Sequence, residues 1–154
     1  SKFDRVTLKF TGNLHKLIKE TFKHNLLSKA KLIASNERGK SYTAANLVDE
    51  NWNSYWATAD EIQDANFMIE WKSPQAIDFI RLREYIPLGQ RIEKVTVESF
   101  ENGEWMEVAN ATSVGACRII PLDKTLHATK IRIRIEAPVC LTLSELGCYT
   151  KINP

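Results

Sequence analysis

Eleven residues, Asn46 to Trp56 (NLVDENWNSYW), gather most of the side chains in this sequence that could hold a ligand. Behind two apolar anchors, Leu47 and Val48, come two carboxylates (Asp49, Glu50), amide and hydroxyl oxygens (Asn51, Asn53, Ser54) and three aromatics (Trp52, Tyr55, Trp56). Asp, Asn and Ser side chains compete for nearby backbone groups, so the run predicts an ordered loop rather than a helix or regular strand. Oxygens at Asp49, Asn51 and Ser54 are the donors a hard cation such as calcium takes, six to eight at a time, with help from backbone carbonyls. The same residues can also close a polar turn on their own hydrogen bonds, and the loop pattern of helix-flanked calcium sites is absent.

Hydrolytic chemistry finds almost nothing to work with. A glycosidase needs two opposed carboxylates, a serine hydrolase a nucleophile beside an oriented histidine, and a zinc enzyme clustered His or Cys. His15, His24 and His127 have no motif partners, and there is no Gly-x-Ser-x-Gly and no phosphate-binding glycine loop. Cys117, Cys140 and Cys148 are an odd count without Cys-x-x-Cys, so at most one pair forms, with Cys140 and Cys148 the candidates. The chain is read as non-catalytic.

The elements that would position these residues read as one β domain behind a helical preface. A chain of 154 residues can bury a full core. No apolar run approaches the roughly twenty residues of a membrane span, and there is no secretory leader pattern. Val6, Leu8 and Phe10 alternate as in a strand; Leu14, Leu17, Ile18 and Phe22 then fall at helical spacing, with Asn13 as the N-cap. Residues 1–24 are read as the tail of a preceding domain and its linker helix, and 25–154 as the β domain. Short β-branched and aromatic runs follow at Asn66–Trp71, Ile77–Tyr85, Ile92–Phe100, Glu104–Ala109, Cys117–Leu122, Thr129–Ala137 and Val139–Leu143, separated by Gly, Pro, Asn and Asp. Asn102-Gly103 predicts a type I′ hairpin, Ile131, Ile133 and Ile135 a one-sided strand, and Trp56 and Trp71 core positions. The net charge of +2 is too small for a nucleic-acid footprint, although residues 1–31 carry +6 and the remainder −4.

The run Tyr42 to Thr58 (YTAANLVDENWNSYWAT) resembles the signature of coagulation-factor V/VIII type C, or discoidin, domains, whose bacterial members include the family 32 carbohydrate-binding modules. Leu82–Glu98, Trp105–Ile120 and Leu143–Tyr149 look most like the version fused behind the barrel of family 29 α-L-fucosidases, and the resemblance extends from about Asn25 to Tyr149. It implies an all-β fold, a discoidin-like, galactose-binding-type jelly-roll β-sandwich. It also implies a structural calcium held by Asp49, Asn51, Ser54 and Glu145, with backbone carbonyls near Ala45 and Asn46. Glu50 stands where the family has Gly, which at positive φ costs about 1 kcal/mol and weakens the loop as a metal site. The absence of an N-terminal Cys favours a bacterial module, secreted or periplasmic by resemblance.

A sugar-binding module needs an aromatic platform and planar polar groups. Tyr42, Trp52 and Tyr55 are the candidate platforms; Arg83, Glu84, Gln90 and Arg91 are the candidate hydrogen-bonding partners. The expected partners are a galactose- or fucose-containing glycan and the catalytic domain of the parent α-L-fucosidase. The alternative is a domain that braces the barrel without binding sugar. A third reading, adhesion to anionic glycans or lipids through Arg132 and Arg134, would betray itself by salt dependence.

Overall fold

The computed structural model describes residues 16–152, so the strand expected over Val6–Phe10 and the N-cap at Asn13 lie outside the described residues. Residues 16–21 are helical, and Phe22 packs edge-on against Tyr149 with ring centroids 4.8 Å apart. A 3₁₀ turn at Leu26–Lys29 follows, capped by Asn25, whose Oδ1 accepts from Leu27 N–H. Asn25 also reaches the far end of the chain: its Nδ2 donates to Leu146 O at 3.0 Å, and its Oδ1 accepts from Cys148 N–H at 3.1 Å.

Eight strands follow: β1 (Lys31–Ala34), β2 (Trp56–Ala57), β3 (Asp64–Arg83), β4 (Lys94–Glu101), β5 (Glu104–Ala111), β6 (Arg118–Glu136), β7 (Thr142–Leu143) and β8 (Glu145–Tyr149). The main sheet runs β1-β3-β6-β4-β5 with β8 added to β3, and β2 pairs with β7 apart from it. Every pairing is antiparallel.

Two pairs of expected strands turn out to be single long ones. Asn66–Trp71 and Ile77–Tyr85 are two arms of β3; Cys117–Leu122 and Thr129–Ala137 are two arms of β6. Lys72-Ser73-Pro74 reads as a turn, but here the register jumps from Glu70↔Lys130 to Gln75↔Ala128, a bulge that bends the paired strands instead of ending them. Proline is tolerated at such a bulge because it has no N–H to give to the ladder. Beyond the bend β3 pairs with β8, so one strand serves both layers of the sandwich.

Between the layers lie Trp56, Phe67, Ile69, Ile77, Ile80 and Leu82, with Ile131, Ile133 and Ile135 facing them from β6. Trp56 and Trp71 are buried as expected, and each indole N–H finds a carbonyl, Asn36 O and Leu26 O respectively. At the β4–β5 hairpin, Asn102 (φ 51°) and Gly103 (φ 80°) take the left-handed conformations of a type I′ turn. No helix among the described residues is long and apolar enough to cross a membrane.

The candidate disulfide is not formed: all three cysteines are free. Cys148 is sealed in the core on β8, and burial pushes its thiol far above the ordinary value. Cys140 instead meets Arg91, whose Nη1 lies 3.1 Å from the sulfur.

Candidate functional site

The 49–54 loop is closed by its own side chains. Asp49 Oδ1 accepts from Asn51 N–H at 2.9 Å, Asn51 Oδ1 accepts from Asn53 N–H at 3.0 Å, and the Ser54 hydroxyl donates to Asp49 Oδ2. Asn46 Nδ2 ties the loop's flanks together through Ser41 O and Tyr55 O. Glu50 has φ 58°, the left-handed region in which a side chain costs about 1 kcal/mol. Glu50→Gly is therefore expected to raise unfolding free energy by up to about 1 kcal/mol in urea titration. Equal or lower stability in the variant would mean that the Glu50 side chain offsets its own strain.

Glu145 is occupied elsewhere. Its Oε1 accepts from Arg81 Nη2 (2.6 Å), Arg81 Nε (3.1 Å) and the Tyr149 hydroxyl (3.3 Å), and its Oε2 accepts from Arg83 Nε at 2.6 Å. Burial raises the Tyr149 hydroxyl above the usual phenol range; Glu145 adds to the shift and Arg81 opposes it. The structure thus joins Asp49, Asn51 and Ser54 to one another and pairs Glu145 with arginines. Among the described residues, no three His, Cys, Asp or Glu side chains gather as a metal-binding group. This donor set does not fit a calcium ion, because two guanidinium charges already sit on the carboxylate that would have to serve it.

The aromatic candidates are partly or largely exposed. Trp52, 60% exposed, lies over the Arg83 guanidinium at 4.4 Å. Tyr55 is the middle of a row, 5.0 Å from Tyr42 and stacked at 4.1 Å and 22° on Tyr85. The Tyr55 hydroxyl is raised by partial burial and by the neighbouring Tyr42 hydroxyl. Beside Trp52 opens a cleft of about 420 Å³ whose lining includes Phe22, Asn25, Leu47, Arg81 and Glu145.

Two of the expected hydrogen-bonding partners are braces instead. Glu84 is only 2% exposed, and its carboxylate accepts the backbone N–H groups of Arg91 (2.7 Å), Ile92 (2.9 Å) and Gly115 (2.8 Å). It cannot meet a ligand, because its side chain points inward in step with Ile80 and Leu82. Arg91 spends its Nε on Leu88 O and its Nη1 on Cys140, which fastens the 84–93 loop to the 137–141 segment. Gln90 is exposed, with its amide against Gly115. Arg132, for its part, makes a two-pronged pair with Glu98 at 3.0 Å and lies on the Trp105 ring, whereas Arg134, 57% exposed, stands 3.8 Å from the same carboxylate.

Tyr85 and Arg81 were missing from the candidates. Strand period would have found them, since Arg81, Arg83 and Tyr85 alternate with buried Ile80, Leu82 and Glu84.

The model of the F5/8 type C domain matches residues 31–145. Alpha-L-fucosidase 1 of Arabidopsis thaliana is 27% identical over 134 residues, 83% of this chain and 26% of that protein. A Ruminococcus gnavus GH29 fucosidase solved with fucose superposes with a TM-score of 0.84 at 30% identity, over 97% of this chain and 30% of that one. The family 32 module of Clostridium perfringens NanJ, solved with galactose, shares the fold at a TM-score of 0.66 and 20% identity, over 80% of this chain and 96% of that one. The chain thus spans under a third of these fucosidases and nearly all of the separate module.

Proposed function

This chain belongs to the F5/8 type C domain family, and on that premise we propose that it is the non-catalytic, carbohydrate-binding domain of an α-L-fucosidase working outside the cytoplasm. The observation that carries this reading is the exposed Trp52 over the Arg83 guanidinium, on the loop that leads into the Tyr42–Tyr55–Tyr85 row. A pyranose with galacto- or fuco-configuration presents an apolar face that such a platform covers. Hydrolysis would belong to residues of a preceding barrel.

Binding through one stacked ring and a few solvent-competed hydrogen bonds is weak, near the roughly −4 kcal/mol of a millimolar complex. On a polymer surface that suffices, because a tether turns weak capture into a high effective concentration at the catalytic site.

The test titrates galactose, fucose and a fucosylated oligosaccharide into wild type and Trp52→Ala by NMR, with a melting curve for each protein. Trp52→Ala is expected to abolish binding and to cost less than about 1 kcal/mol of stability, since an exposed ring has little burial to lose. A second reading, that the domain braces the barrel, is favoured by the cleft between Phe22 and Trp52 at the point where the chain enters. Wild type that binds none of the three sugars would leave that reading standing.

A further inference from the structure

We propose that Arg81 and Arg83, closed on Glu145, do without any cation the fastening that a calcium ion would do, so that the domain is held shut by guanidinium groups and is indifferent to calcium. The inference is independent of sugar binding.

Arg81 and Arg83 both project from β3, two residues apart and therefore on one face, while Glu145 and Tyr149 come from β8. The Glu145 carboxylate is met on both oxygens by N–H donors at 2.6 Å, and three donors crowd Oε1. Its side chain is 11% exposed, against 17% and 21% for the two arginines, so salt screens the cluster poorly. A divalent ion entering here would have to displace one arginine or stand beside both.

The arginines are themselves fixed. Arg81 lies 4.9 Å from the Phe22 and Tyr149 ring centroids, and Arg83 lies under Trp52 with its Nη1 3.3 Å from Ala116 O. One carboxylate thereby holds four parts of the molecule: the helical entry through Phe22, the 49–54 loop through Trp52, β3, and the last strand. Asp49 is turned to its own loop, one oxygen accepting from Asn51 N–H and the other from the Ser54 hydroxyl. Gly147 belongs to the same device, because a Cβ there would overlap the Tyr149 ring that backs Arg81.

The experiment compares melting temperatures in EDTA and in millimolar calcium chloride, for wild type and for Glu145→Gln, which keeps the shape and removes the charge. Wild type is expected to melt at the same temperature in both, and Glu145→Gln to melt lower by roughly 5–10 °C, also without a calcium response. A saturable rise of the wild-type melting temperature with calcium overturns the proposal. So does a Glu145→Gln protein that melts with wild type. Should Glu145→Gln fail to fold, the wild-type metal titration decides by itself, and Arg83→Lys, which keeps the charge but loses the fork and the stacking face, is expected to melt below wild type.

Discussion

Replacing Glu84 by Ala lowers the unfolding free energy by about 3–5 kcal/mol, and replacing it by Gln lowers it nearly as far. The carboxylate accepts the N–H groups of Arg91, Ile92 and Gly115, and Glu84 is 2% exposed. Removing it leaves those donors without partners where water reaches them poorly, and each charge-assisted bond of this kind contributes roughly 1.5–3 kcal/mol. Gln presents one oxygen in place of two and turns an NH₂ group toward an N–H. Urea denaturation gives the size of the loss. Amide exchange gives its place: the 86–93 and 112–117 loops should open together while β4 and β6 stay protected. A loss below about 1 kcal/mol would show that the loops hold each other without the carboxylate.

Trp71→Ala costs about 3–5 kcal/mol, the usual range for truncating a buried aromatic. Trp71 is 5% exposed at the β3 bend, and its indole N–H donates to Leu26 O at 2.9 Å. Packing and hydrogen bond separate in Trp71→Phe, which keeps much of the ring and frees the carbonyl, at an added cost of about 1 kcal/mol for the lost bond. Equilibrium unfolding of both variants beside Trp52→Ala ranks the three positions. If Trp71→Ala melted like Trp52→Ala, the core assignment at the bend would fail.

How far the chain can be read without its structure depends on how far apart the interacting groups lie. Alternation at Ile131, Ile133 and Ile135 and the Asn102-Gly103 turn are local patterns, and both appear as read. The bend of β3 is local too, yet Pro74 reads the same way whether a strand ends there or bulges; only the partner strand, continuing from Lys130 to Ala128, separates the cases. Glu84 looked like a ligand group because it is flanked by planar polar residues. Its inward phase with Ile80 and Leu82 was visible, but not the three N–H groups waiting inside. The aromatic groups were half legible: Trp52 and Tyr55 stand in a polar loop, whereas Tyr85 follows the end of a strand and looks like core. Glu145 was the least legible, since its arginine partners are 64 and 62 residues away and no spacing rule connects them.

The bonds from Asn25 to β8 also bear on how the molecule is made. Asn25 waits for partners 121 and 123 residues further on, and at ordinary synthesis rates they leave the ribosome roughly 6–25 s later. For most of that interval the first arm of β3 is in solution without β6, the strand that pairs with it on the side away from β1. A nascent chain paused before residue 118 has no closed sheet to fall back on. It offers an unpaired strand edge to chaperones and to other chains alike, so the pace of synthesis and the supply of chaperones bear on its yield together with the stability of the finished sandwich.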